Sequence, residues 1–323
     1  MQEDLKVIYS WAGSNHMKWN DLKFQVLRLG PNQDLIESTT ILSPDHGEVV
    51  EEKGVIKDLG IMVDRDLEYV DQLHRAVNKA KQKAAWVLRT FSSRYVDLMR
   101  TMWHSLVQCH LDYGNILWGP YNYHGEKWKW TLLESPLREF TRKAKGCRDL
   151  DYWSRLKEFK LTSTQRRLER YRILYTWKSL NGFAPPLGLE WSMSSLGRSG
   201  RTLAVEKVAG STEGLKMRRR KSIQFEGVRL LNVLPSELRN FAGKVADFKG
   251  LLDNFLDNVP DEPWTDSLLP GAQDIDGKSS NSIYDWVRTG RISWKVPRKL
   301  VYYNQCYYVN SSYPGGEAQL NLL

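Results

Sequence analysis

Long apolar runs are missing from this 323-residue chain. No stretch approaches the ~18 consecutive apolar residues of a membrane-spanning helix, so nothing is expected to cross a membrane. Cysteine is scarce: Cys109, Cys147 and Cys306 stand too far apart for a disulfide framework and suit a reducing compartment. The opening Met1-Gln2-Glu3-Asp4 has neither the basic start nor the apolar stretch of a secretory leader. The expected location is therefore intracellular, in cytoplasm or nucleus, and not secreted. Glycine-rich phosphate loops of Walker or Rossmann type do not occur. No Cys/His group has metal-ligand spacing; for Cys109-His110 a small buried cysteine in a helix interior is a better account than a Cys–His nucleophile. Two-metal chemistry needs clustered carboxylates on a rigid strand pair, whereas Asp64 and Asp66 flank a turn. The residues by themselves compose no complete active site, and neither a metal nor a cofactor is expected in this chain.

What is present is enough apolar matter for a core. Hydrophobic residues make up 41% of the chain, with 13 Trp and 15 Tyr, which excludes general disorder. The length favours two or three units. The net charge of +9 is unevenly spread. Residues 1–66 hold 7 Lys+Arg against 12 Asp+Glu, a balance of −5; residues 67–100 hold 7 against 3, or +4; residues 151–222 hold 16 against 6, or +10. Positive charge gathered in the middle of a chain suits a surface that faces phosphate. The plainer reading is that basic helices are merely solvated.

Taken in order, residues 2–14 read as an amphipathic helix with Leu5, Ile8 and Trp11 or Ala12 inward. Strand character runs from Phe24 to Leu29, a hairpin is expected around Pro44-Asp45-His46-Gly47, and Leu59, Ile61 and Val63 alternate as in a half-buried strand. Nothing here closes a sheet, so the front of a domain is expected to be missing. Helical patterns follow at Leu67 to Arg94, Val96 to Leu111, Thr131 to Lys145, Asp151 to Lys160 and Ser163 to Leu180. The last is apolar on two sides and is expected to be sandwiched. A Gly/Ser-rich linker follows Pro185-Pro186, then the basic run Met217 to Lys221, a strand-like SIQFEGVRLLNVLP, and a helix from Val245 to Leu256. Residues 257–282 read as irregular, and the tail from Arg288 has no clear period.

The stretch at 57–94 divides most sharply. With Leu73 as zero and about 100° per residue, Val77, Ala80, Ala84, Val87, Leu88 and Phe91 fall within ~60° of it. Arg75, Lys79 and Arg89 lie on the opposite arc, with Trp86 among them and Lys83 at the edge. One face suits a core and the other suits an anion.

Several motifs carry a resemblance. Trp11, Asn15, Met17, Asn20 and Lys23 follow a W…N-x-M-x-x-N…K pattern. Lys57, Leu59, Gly60 and Ile61 follow K-x-L-G-V/I. LVQCHLDYGNILWGP, LESPLREFTRKAKG, YWSRLKEFKLTSTQRRLERYRILYTWKSLNG and SIQFEGVRLLNVLPSELRN come in the same order and spacing. Together, over residues 2–286, they resemble the C-terminal part of a reverse transcriptase from jockey-like non-LTR retrotransposons. Cys109 in place of the usual proline, and Pro136 inside an expected helix, depart from the pattern.

The resemblance implies an α+β fold: a small incomplete palm-type piece at 1–66, a mainly helical thumb bundle at 67–183, a linker plus small mixed C-terminal region at 184–260, and an irregular tail at 261–323. It implies that the catalytic aspartates, their F/Y-A-D-D turn and the Mg²⁺ of the intact enzyme have no counterpart here, so this chain alone is expected to be an inactive RNA-directed DNA polymerase fragment. Lys23 matches a family lysine near the leaving pyrophosphate and would be vestigial. Lys57 and Gly60 match the hairpin that grips the primer. A thumb holds the template–primer by its backbone, a task expected of Arg75, Lys79, Lys83, Trp86 and Arg89, with Arg166 and Arg170 adding contacts. The implied partner is an RNA–DNA or other nucleic-acid duplex, bound with little sequence preference. Trp86 could instead pack on a neighbouring helix, and the arginines could form salt bridges to Glu169 and Asp151. The alternative from another class is an inactive helical remnant or a protein-interaction module that binds no nucleic acid.

Overall fold

A computed structural model describes residues 2–18, 20, 23–29, 40–43, 47–121, 126–193, 201–205, 221–263, 281–288, 290, 292 and 294. Over these the chain is mainly helical with two small antiparallel two-stranded sheets, an α+β fold. No helix among the described residues is long and apolar enough to cross a membrane.

Helix α1 (Gln2–Ser14) forms where expected, but its inward stripe is Leu5, Tyr9 and Ala12. Tyr9 packs on Phe24 with ring centroids 5.6 Å apart, and that contact rotates Ile8 and Trp11 outward. The strand expected at 24–29 does not form. Val26 makes one isolated parallel bridge to Glu52, because no neighbouring strand extends the ladder. An antiparallel bridge between Leu42 and Val49 brackets the expected hairpin turn, whose residues 44–46 lie outside the described ones.

Strands β1 (Val55–Asp58) and β2 (Ile61–Asp64) make a tight hairpin in which Asp58 faces Ile61. Leu59 therefore belongs to the turn and not to an alternating strand. With φ of 43° at Leu59 and 89° at Gly60, the two-residue turn is left-handed at both positions, the kind that matches strand twist. Ile61 and Val63 lie against the larger of two cores.

That core is organised by α2 (Val70–Thr90), whose entry is held by Asp64: its carboxylate accepts from the N–H of Glu68 (2.9 Å) and Tyr69 (2.6 Å). Leu73, Val77, Ala80, Ala84 and Val87 are buried as the periodicity predicts. The helix expected at 96–111 is α3 (Val96–Met102) and α4 (Gln108–Asp112) joined by a π-helical turn (Trp103–Val107), and it buries Met99, Trp103, Val107 and Leu111. Short α5 (Asn115–Trp118) follows Gly114, whose φ of 64° and close approach to Ile61 require glycine: a Cβ there would lie 2.6 Å from Ile61 Cδ1.

Helix α6 (Lys127–Thr141) begins earlier than expected and carries Pro136 within it. The carbonyl that Pro136 cannot bond belongs to Leu132, and it accepts from Ser135 Oγ at 2.8 Å, so the helix continues. Helices α7 (Tyr152–Phe159) and α8 (Thr164–Leu180) are N-capped by Asp151 and Ser163.

Helix α8 packs on α5 and α6, and its other side faces α9 (Ile223–Val233), so it is sandwiched as expected. The α9 segment, which reads as strand-like, is helical. Its Gly227 lets the helices touch, since a Cβ there would meet Thr176 Oγ1 at 2.0 Å. A second core gathers Ile173, Trp177, Leu230, Leu231, Phe248 and Phe255, with α10 (Ser236–Arg239) and α11 (Val245–Leu256). Trp177 stacks on Phe248 at 4.2 Å, and its indole donates to Phe241 O at 2.9 Å. Two expectations change here. The linker holds β3 (Leu189–Met193) paired with β4 (Arg201–Val205), and α12 (Ile283–Arg288), expected in an irregular tail, buries Ile283 and Trp286 in this core. Residues Met217–Arg220 of the basic run and residues 295–323 of the tail lie outside the described ones.

Candidate nucleic-acid interface

The outer side of α2 is built by default. Once Leu73, Val77, Ala80, Ala84 and Val87 turn inward, the 3.6-residue repeat presents Lys79, Lys83, Trp86 and Arg89 to solvent. Among the described residues none of these three cations forms an ion pair. Trp86 is 43% exposed, lies under Lys83 Nζ at 5.6 Å, and meets Phe91 edge-on. Arg75 is half-buried, its Nη1 3.3 Å from Met62 Sδ on β2, which ties the basic side to the hairpin.

The hairpin stands at one end of this surface. Lys57 and Gly60 are exposed, and Leu59 is 84% exposed at the tip. Tyr113, just after α4, fixes that tip: its hydroxyl donates to Leu59 O at 2.6 Å, and its ring lies 3.5 Å from where a Cβ on Gly60 would sit. Nothing in the sequence joins Tyr113 to residue 59; only the docking of α4 beside the hairpin does. Lys23 is exposed and, among the described residues, forms no ion pair; its N–H donates to Asn20 O at 2.9 Å.

The arginines of α8 are placed otherwise. Arg166 is 2% exposed; it donates to the carbonyls of Pro260 (2.6 Å), Asn281 (3.0 Å) and Val259 (3.4 Å) and stands 3.7 Å from Asp261. Burial pushes its pKa down, and Asp261 and Glu169 oppose that. Arg170 forms a two-pronged pair with Asp253 on α11. Arg167 donates to Asp112 at 2.8 Å, and Arg172 donates to Gly119 O while lying over the Tyr121 ring. The expectation that Arg166 and Arg170 would reach phosphate meets a plain physical obstacle: their guanidiniums are used inside the molecule. Salt bridging was the better alternative, but the partners are Asp261 and Asp253; Asp151 caps α7 instead.

Lys221, at the end of the basic run, is likewise engaged, 2.7 Å from Glu68 and 3.4 Å from Glu126, beside Lys129. Burial would raise the Glu68 carboxyl, but hydrogen bonds from Lys221 and Lys129 prevail and hold it below the usual range. What remains is a division of labour among cations. Arginines of the middle region knit helices together, and Lys79 and Lys83 of α2 face solvent. Sequence charge counts cannot separate the two, because both add to the same local excess.

Among the described residues no group of His, Cys, Asp and Glu is arranged to hold a metal ion, and Cys109 is exposed while Cys147 is buried. Compared with protein-family models, curated proteins and solved structures, the chain matches none.

Proposed function

We propose that this chain is the palm-end, thumb and C-terminal part of a jockey-like non-LTR retrotransposon reverse transcriptase. Its action is sequence-independent gripping of an RNA–DNA template–primer through backbone phosphates. The observation that carries the reading is the α2 surface: Lys79, Lys83 and Arg89 exposed and free of ion pairs among the described residues, around an exposed Trp86. Unpaired cations on a rigid helix suit phosphate contact, because no intramolecular partner must be given up on binding. The Leu59–Gly60 tip next to this helix is, in this reading, the family's primer-gripping hairpin, with Lys57 and Arg75 flanking it. In this reading residues 1–66 are the palm remnant and the bundle from α2 to α8 is the thumb. Polymerisation is assigned to no residue of this chain.

The test is fluorescence anisotropy with a short labelled RNA–DNA duplex across a salt series. Arg166 and Arg170 being engaged inside the molecule, five cations remain (Lys57, Arg75, Lys79, Lys83 and Arg89), and about four to five phosphate contacts give a fall of log affinity against log salt with a slope of about −4. Absent or salt-independent binding would reject the reading. One observation favours a protein-interaction module instead: α1 exposes Val7, Ile8 and Trp11 on one side, and Trp11 is 58% exposed. Under that alternative the duplex would not bind at any salt concentration.

A further inference from the structure

We propose that His110 is an additional phosphate-binding residue of the α2 surface, a neutral imidazole that takes up a proton when a nucleic-acid backbone docks. The inference rests on the nucleic-acid reading above and deepens it by adding a residue and a linked proton.

His110 lies on α4, which packs directly against α2. Ala76, Ala80 and Ala84 of α2 are buried in the same core as Val107 and Leu111, and these small side chains let the two elements approach closely. On the α2 wheel Lys79 and Lys83 flank this alanine stripe on one side, and the opposite flank carries Lys81, paired with Glu139 of α6. His110 is half-buried beside Lys79 and Lys83. Lost hydration, followed by repulsion from the two ammonium groups, holds its pKa below the usual 6.5. The free imidazole is thus mostly neutral near neutral pH.

The other charged and titratable groups around α4 are committed elsewhere. His104, from the π-helical turn, bonds Gln108 through Nδ1 at 2.8 Å. Asp112, on α4 itself, accepts from Arg167 (2.8 Å) and Tyr171 (3.1 Å) of α8 and from Gln108 (2.8 Å). Cys109, next in the chain, is exposed. Among the described residues no carboxylate pairs with His110. The ring therefore feels two positive charges and no compensating anion.

A backbone phosphate seated between Lys79 and Lys83 offsets much of that repulsion, and a phosphate oxygen within reach of the ring adds an attraction of its own. The imidazolium is then favoured, and the proton and the phosphate bind together. Affinity then rises as pH falls through the histidine range.

The experiment is anisotropy of the full chain with a short fluorescein-labelled RNA–DNA duplex at constant ionic strength, from about pH 5.5 to 8. The wild type, His110→Gln and Lys79→Glu/Lys83→Glu are compared. Wild-type affinity should rise about three- to tenfold toward the acid end, where one unit of linked pKa change is worth tenfold. His110→Gln should lack most of that rise; the five other histidines of the chain, His16, His46, His74, His104 and His124, remain in it as internal controls. A variant whose pH profile overlays the wild type's would overturn the role of His110 while leaving duplex binding intact. No wild-type binding at any pH would reject the nucleic-acid reading itself, and this inference with it. A second readout is the His110 imidazole titration by NMR. Its midpoint should move up when duplex is added, and an unmoved midpoint in a bound complex would refute the proposal.

Discussion

Replacing Arg166 by alanine separates a fold-building arginine from a phosphate-binding one. Its guanidinium donates to three carbonyls, of Val259, Pro260 and Asn281, and faces Asp261 at 3.7 Å. It thereby fastens the end of α11 and the entry to α12 onto α8. Asp261 keeps its other partners, the Ser163 N–H (2.5 Å) and Oγ (2.7 Å) and Asn281 Nδ2 (3.0 Å), but loses its cation. Removing one member of a buried ion pair costs about 3–5 kcal/mol, a large share of an ordinary stability of about 5–15 kcal/mol. Arg166→Lys keeps the charge without the fork and should cost less, about 1–2 kcal/mol. Urea unfolding followed by tryptophan fluorescence reads the loss, and duplex affinity of the folded variant should stay within about twofold, since no phosphate contact is lost. Wild-type stability together with weakened duplex binding and a salt slope shallower by about one would show that Arg166 works at the surface after all.

Glu134 is buried, accepts from the Thr164 N–H (3.1 and 3.0 Å) and from Tyr152, and burial raises its pKa above the usual carboxylate value. A raised pKa means stability fully present below the unfolded value and lost as pH rises through the folded one; Glu134→Gln, which keeps an acceptor, should therefore gain on the wild type as pH rises above about 4.5 in paired denaturation curves. At the hairpin tip, Leu59→Asn should stabilise by about 0.5–1 kcal/mol, because asparagine tolerates the left-handed conformation and the exposed leucine packs on nothing. Gly60→Ala, at φ of 89°, should instead destabilise by about 1 kcal/mol or more in thermal unfolding.

Much of this architecture was legible because its causes are local. The α2 stripe follows from helical period, α7 and α8 begin at their capping residues Asp151 and Ser163, and α11 follows its own pattern. Errors arose where distant contacts decide. Gly227 and the β-branched residues around it make 223–233 read as strand-like, yet the glycine is there to admit Thr176 of α8. Arg170 finds its carboxylate 83 residues along the chain, and no charge count reveals that. Leu59 looked like the start of an alternating strand, but Gly60 beside it makes the turn. Ile8 and Trp11 fit an inward stripe as well as Tyr9 does, and only Phe24 breaks the tie. At the candidate interface the exposed lysines of α2 were readable from period alone, whereas Tyr113 and His110 depend on how α4 is docked.

The account stands most directly on one measurement, duplex affinity across a salt series for the wild type and Lys79→Glu/Lys83→Glu. The wild type should bind with a salt slope of about −4, and the double variant should lose at least about tenfold in affinity and about two units of slope. Identical affinities and slopes for the two proteins would place the contact elsewhere and contradict the α2 surface as the grip.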